Sequence, residues 1–142
     1  MRWLMAVLIG WGAPLAPVQV TRPFVPPLSR FSPGHRGVDL AGLPGDVVRS
    51  AGVGRVTFAG SVAGVGVVSV DHGHGLRTTY EPVSPLVRRR QVVARGTALG
   101  VLLAGHPGCP VAACLHWGLR EGATYLDPLL VLGRGPARLV PP

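Results

Sequence analysis

An all-β domain, folded as a compact and mainly antiparallel sheet sandwich, is predicted for this 142-residue chain by three observations. Beyond the N-terminal segment, short apolar runs alternate with glycine-bearing turns. In GRVTFAG, Val56 and Phe58 fall on one side while Arg55, Thr57 and Ala59 fall on the other, the period-two pattern of a half-buried strand. No stretch of a dozen residues after the N-terminal segment combines helix formers, a period near 3.6 and freedom from Gly and Pro.

Taken in order, residues 1–16 place Arg2 before the apolar run Trp3 to Trp11 and small residues at Ala13 and Ala16. That is the layout of a secretory signal peptide, and it implies a secreted or cell-envelope location. The run is shorter than the roughly 20 apolar residues of a membrane span, so membrane attachment is expected only if the segment stays uncleaved. Residues 17–33 carry Pro23, Pro26, Pro27 and Pro33, which remove amide donors and hold their neighbours extended: an arm, not a domain. The domain is expected over 34–132. Strands are predicted at Asp46 to Ser50, Arg55 to Ala59, Val65 to Val70, Leu76 to Tyr80, Gln91 to Val93, Leu99 to Leu103 and Leu115 to Leu119, where Val, Thr and Phe recur. A last short strand is predicted at Leu129 to Leu132, before a proline-bearing tail over 133–142.

Gly and Pro total 36 residues (21 plus 15), a quarter of the chain, yet a hydrophobic fraction of 47% excludes a disordered low-complexity segment. The net charge is +8, all of its positive side chains being Arg. Such a charge favours anionic partners without choosing among them. The absence of Lys and Asn matches the coding bias of a GC-rich genome, which lowers the weight of charge as a functional signal. Nucleic acid is excluded as a partner by the lack of a recognition helix, a nucleic-acid fold motif or interleaved aromatics.

Two clusters carry chemistry. GHRGVDL, residues 34 to 40, holds His35 and Asp39, which supply the nitrogen and carboxylate donors that zinc accepts. Four residues of straight strand would separate them by about 13 Å, so the chain must bend, and Gly34 and Gly37 permit it. CLHWGLR, residues 114 to 120, offers His116 as a third donor with Trp117 turned to the opposite face. Taken alone, the same spacing is more often that of a surface His–Asp pair or a packed imidazole than of a metal site. Cys109 and Cys114 are the only cysteines. A disulfide between them suits an exported chain and would close a six-residue loop worth about 2 kcal/mol. Reduced small hydrophobes, or Cys114 as a thiolate ligand, are the alternatives.

Residues 34 to 129 resemble the lysostaphin/LytM-type zinc metallopeptidase domain, through GHRGVDL and LHWGLR and, between and after them, FAG at 58 to 60, VVSVDHGHGLRTTY at 67 to 80, QVVARGTALG at 91 to 100 and YLDPL at 125 to 129. The resemblance implies the duplicated hybrid motif as the fold and His35, Asp39 and His116 as zinc ligands. It implies peptidoglycan peptides as substrate, with zinc polarising the scissile carbonyl and activating water. Two positions depart from the family pattern. A catalytic histidine is expected where Pro82 stands, and another where Cys114 stands, two residues before the last ligand. Neither proline nor a disulfide-bonded cysteine offers a side-chain proton donor or acceptor.

Glu81, beside the altered position, is the candidate replacement base. His106 lies in the loop leading to His116 and is the candidate substrate contact. His72 and His74 are read as solvent-facing turn residues, with Asp71 capping that turn. Arg88 to Arg90 is the dense basic run and would meet anionic cell-wall polymers. The expected function is therefore an exported zinc metalloendopeptidase-like domain acting on cell-wall peptidoglycan. The alternative is a catalytically degenerate module that binds peptidoglycan or activates another cell-wall hydrolase, and a third is an exported structural β domain.

Overall fold

The computed structural model describes residues 10–29 and 34–133. It contains eleven strands: β1 Val20–Arg22, β2 Val38–Gly42, β3 Val47–Arg49, β4 Gly54–Val62, β5 Val65–Gly73, β6 Leu76–Glu81, β7 Val83–Pro85, β8 Val92–Val93, β9 Ala98–Leu102, β10 Ala113–Glu121 and β11 Thr124–Leu126. They form an eight-stranded sheet in the order β1-β2-β10-β6-β5-β4-β8, with β11 paired to β10, and a three-stranded sheet β3-β9-β7. Every pairing is antiparallel. No α-helix occurs among the described residues, and no helix there is long and apolar enough to cross a membrane.

Tight turns set the register. Ala63 and Gly64 between β4 and β5 have φ of 51° and 82°, and His74 and Gly75 between β5 and β6 have 55° and 75°, the paired positive values of two-residue hairpin turns. Alternation along β10 turns Trp117, Leu115 and Leu119 into the core, while His116 and Arg120 stay partly exposed. With Tyr80, Leu40, Leu76, Leu99 and Leu102 they are the largest fully buried side chains. Each contributes about 1.5–3 kcal/mol by leaving water.

Several expectations change. The proline-rich arm is woven into the large sheet: β1 pairs with β2, Val20 opposite Leu40 and Arg22 opposite Asp39. Val25 and His35 exchange two backbone hydrogen bonds of 3.0 and 2.8 Å. Residues 30–33 of the arm, 1–9 of the leader and the tail from 134 lie outside the described residues. Residues 10–16 pack against the domain, with Leu15 only 5% exposed and Gly12 N–H bonded to the Ala51 carbonyl at 2.8 Å. Cleavage after Ala16 would remove that packing. Leu129 to Leu132 is not a strand but part of a 3-10 helix, Pro128–Leu132. Asp127 caps it by accepting from Leu129 N–H at 2.9 Å, Pro128 begins it, and Gly133 ends it at φ 72°. An apolar run this short fits either element, and the flanking Asp-Pro and Gly decide.

Candidate metal centre

Strand register brings the candidate donors together. In the β2–β10 ladder Asp39 lies directly opposite His116, and in the β10–β6 ladder His116 lies opposite Glu81. His35 joins them from the bend before β2. Gly37 makes the bend: a Cβ there would sit 2.5 Å from the Trp117 carbonyl oxygen and 2.8 Å from the His116 ring.

Asp39 Oδ1 lies 3.1 Å from His35 Nε2 and 3.0 Å from His116 Nδ1. These three donor atoms all fall within 4.8 Å of one another. Ligands of a tetrahedral zinc ion, at bonds of about 2.0–2.1 Å, stand about 3.3 Å apart, close to the two separations from Asp39, so the set is one that could hold a metal ion. Second partners fix the donors' orientation. His35 Nδ1 donates to the Pro23 carbonyl at 2.8 Å, which aims Nε2 at Asp39. Burial pushes the Asp39 carboxyl up. The His116 hydrogen bond, the charge of His35, and the charge and hydrogen bond of His106 outweigh that effect, and the net pKa lies below the usual carboxylate value.

His106 reaches this cluster from the loop between β9 and β10, its Nε2 3.1 Å from Asp39 Oδ2 and its ring centroid 5.9 Å from that of His116. Cys109 and Cys114 form the disulfide, with Cα atoms 5.7 Å apart, so Cys114 is not a thiolate ligand. Glu81 and His116 line both of two open grooves. One, of about 380 Å³, runs along the outer face of β6 and β10 past Thr79, Arg36 and Arg120. The other, of about 420 Å³, passes Pro82, His35 and His106. The grooves therefore meet at the donor cluster.

His72 departs from expectation. It is half-buried, its ring 4.5 Å from that of Trp11, and it ends a polar chain through the core. Ala51 N–H donates to Tyr80 Oη at 3.0 Å, Tyr80 Oη and Thr78 Oγ1 share a hydrogen bond of 2.8 Å, Thr78 Oγ1 and His72 Nε2 one of 2.6 Å, and His72 Nδ1 donates to the Val53 carbonyl at 2.8 Å. With His72 neutral, Nδ1–H serves Val53 and Nε2 accepts from Thr78. Burial accordingly lowers its pKa, outweighing the Val53 carbonyl and Asp71. Asp71 does cap its turn, accepting from Gly73 N–H at 2.9 Å. The Pro23 carbonyl, which orients His35, was missed because a backbone acceptor has no sequence signature.

The sequence pattern of peptidase family M23 matches residues 33–128, a span that contains His35, Asp39, Glu81, His106 and His116. The chain belongs to peptidase family M23. An uncharacterized protein of Mycobacterium tuberculosis (strain H37Rv) is 52% identical over 138 residues, which cover 94% of this M23 chain and 55% of the relative. The chain thus spans about half the length of the curated relatives it matches. Among solved structures, Csd3 of Helicobacter pylori is 27% identical with a TM-score of 0.67, over 84% of this chain and 33% of that one. Lysostaphin of Staphylococcus simulans is 20% identical with a TM-score of 0.70, over 93% and 58%, a likeness of fold. The M23 assignment and the His–Asp–His donor set agree on a zinc-peptidase fold.

Proposed function

We propose that this chain is an exported, zinc-dependent metalloendopeptidase-like domain that acts on the peptides of bacterial cell-wall peptidoglycan. The observation that carries the reading is the convergence of His35 Nε2, Asp39 Oδ1 and His116 Nδ1 where two open grooves meet. His35, Asp39 and His116 hold the metal. A bound zinc ion supplies Lewis acidity, polarising a peptide carbonyl and making water more acidic. The groove along β6 and β10, lined by Thr79, Arg36 and Arg120, takes an extended peptide. Glu81, opposite His116 in register, accepts the proton of the attacking water, and His106 closes the far side of the site. Arg88 to Arg90 meet anionic polymers of the wall.

The second reading, a degenerate module that binds peptidoglycan or activates another hydrolase, is favoured by one observation. Pro82 lines the groove and Cys114 is held in a disulfide, so neither supplies a transition-state donor. Losing one such donor costs about 3 kcal/mol. Zinc content of the purified protein beside a His35→Ala variant tests the metal, and substoichiometric zinc in both refutes it. Incubation with purified peptidoglycan then separates the two readings. New peptide termini mean an enzyme; none, with metal bound and the fold intact, means the module. Unchanged cleavage by Glu81→Gln removes Glu81 from the base role.

A further inference from the structure

We propose that His106 is a positioning residue that locks Asp39 in its metal-binding orientation, and that the Cys109–Cys114 disulfide delivers it there. The inference rests on the metal reading above and adds a residue outside the three-donor set.

The two carboxylate oxygens of Asp39 have separate partners. Oδ1 faces His35 Nε2 and His116 Nδ1, at 3.1 and 3.0 Å, whereas Oδ2 is held by His106 Nε2 at 3.1 Å. A carboxylate anchored through one oxygen presents the other as a single, fixed ligand atom and cannot swing to chelate through both. The anchored group is nearly enclosed: the Asp39 side chain is 4% exposed and that of His106 18%. The neutral imidazole suffices, since only its Nε2–H is needed.

His106 lies between the end of β9 at Leu102 and the start of β10 at Ala113, in a loop that joins no sheet. Its position depends on two ties. Leu103 N–H bonds to the Pro82 carbonyl at 3.0 Å on one side. On the other, Cys109 N–H bonds to the His106 carbonyl at 3.2 Å, and Cys109 is joined covalently to Cys114. Cys114 sits two residues before His116 and opposite Ala41, which is two residues after Asp39. The disulfide therefore pins the loop to the two strands that carry ligands. The cysteine at the position where a family histidine is expected returns an imidazole to the site from another part of the chain.

The test is zinc affinity, measured by competition with a chromophoric chelator and without substrate. His106→Ala should weaken zinc binding about 10- to 100-fold, the usual effect of removing such a partner. His106→Gln, whose amide nitrogen can reach Oδ2, should recover most of that loss. In a Cys109→Ser/Cys114→Ser background affinity should also fall, and adding His106→Ala should then cost much less than it does in the disulfide-bonded chain. Cobalt(II) absorption of the unaltered protein and His106→Gln should match, because the metal keeps the same ligands. Equal zinc affinity in the unaltered protein and His106→Ala would overturn the proposal. So would a cobalt spectrum changed in His106→Gln, which would make His106 a direct ligand. Failure of the unaltered protein to bind zinc would instead overturn the metal reading itself, and this inference with it.

Discussion

A single methyl group added at Gly37 should weaken the metal centre without replacing any ligand residue. The Cβ of Gly37→Ala would meet the Trp117 carbonyl oxygen at 2.5 Å and the His116 Cε1 and Nε2 atoms at 2.8 Å, against ordinary contacts of 3.4 Å or more. Relief requires movements of 0.9 Å (3.4 minus 2.5) and 0.6 Å (3.4 minus 2.8). Trp117 is fully buried and its strand is paired on both sides, so β10 resists and the bend and the His116 ring must yield. Overpacking of this kind costs about 1–3 kcal/mol. For a chain of this size that is a fall of about 3–10 °C in melting temperature. Displacing the His116 ring should also weaken zinc binding by about tenfold or more, the scale on which lost ligand orientation is felt. Thermal melts of the metal-free protein and a zinc titration read the two effects separately. Gly118→Ala is the control: it lies on the same strand, yet its Cβ would approach nothing closer than 3.5 Å. A Gly37→Ala protein that melts and binds zinc like the unaltered one, or a Gly118→Ala protein equally impaired, would refute the argument.

Three further outcomes are expected. Leu15→Ala should lower stability by about 2–5 kcal/mol in a denaturant titration, because Leu15 belongs to the buried core. His72 should make the protein acid-sensitive. Its folded pKa is lowered, so its stabilising effect is complete above the ordinary histidine value of about 6.5 and is lost as pH falls from there toward the folded value, where the unfolded chain already carries the proton. Melting temperatures at pH 7.5 and 5.5 should therefore diverge less in His72→Gln. Arg90 holds φ at 77°, where a side chain is strained by about 1–2 kcal/mol. Arg90→Gly should melt within about 1 kcal/mol of the unaltered protein, once glycine's entropic cost is set against that relief, whereas Arg90→Val should be clearly destabilised.

The strands that were legible are those whose signal is local. LHWGL shows alternation, and His74-Gly75 and Ala63-Gly64 sit at positive φ between paired runs, but in GRVTFAG a bulge between Val56 and Phe58 breaks the expected alternation: Val56 is buried, Phe58 is 38% exposed and Ala59 packs against the core. The arm was harder. Its prolines argue against a central strand, but an edge strand needs only one row of donors, and Val20–Arg22 stops at Pro23. His72 misled because DHGHG reads as turn, while its burial depends on Trp11, far away in sequence.

From the sequence alone came the identities of the three candidate ligands, the requirement for a bend between His35 and Asp39, and the cysteine pair, since donor chemistry and glycine placement are written in residue type and spacing. Tertiary structure decided which atoms meet. His106 is 67 residues from Asp39 and His116 is 77, and the Pro23 carbonyl that orients His35 is 12 residues from His35. Those contacts of about 3 Å depend on strand register and loop closure, which arise only when β2 and β10 pair and the disulfide folds the loop back between them.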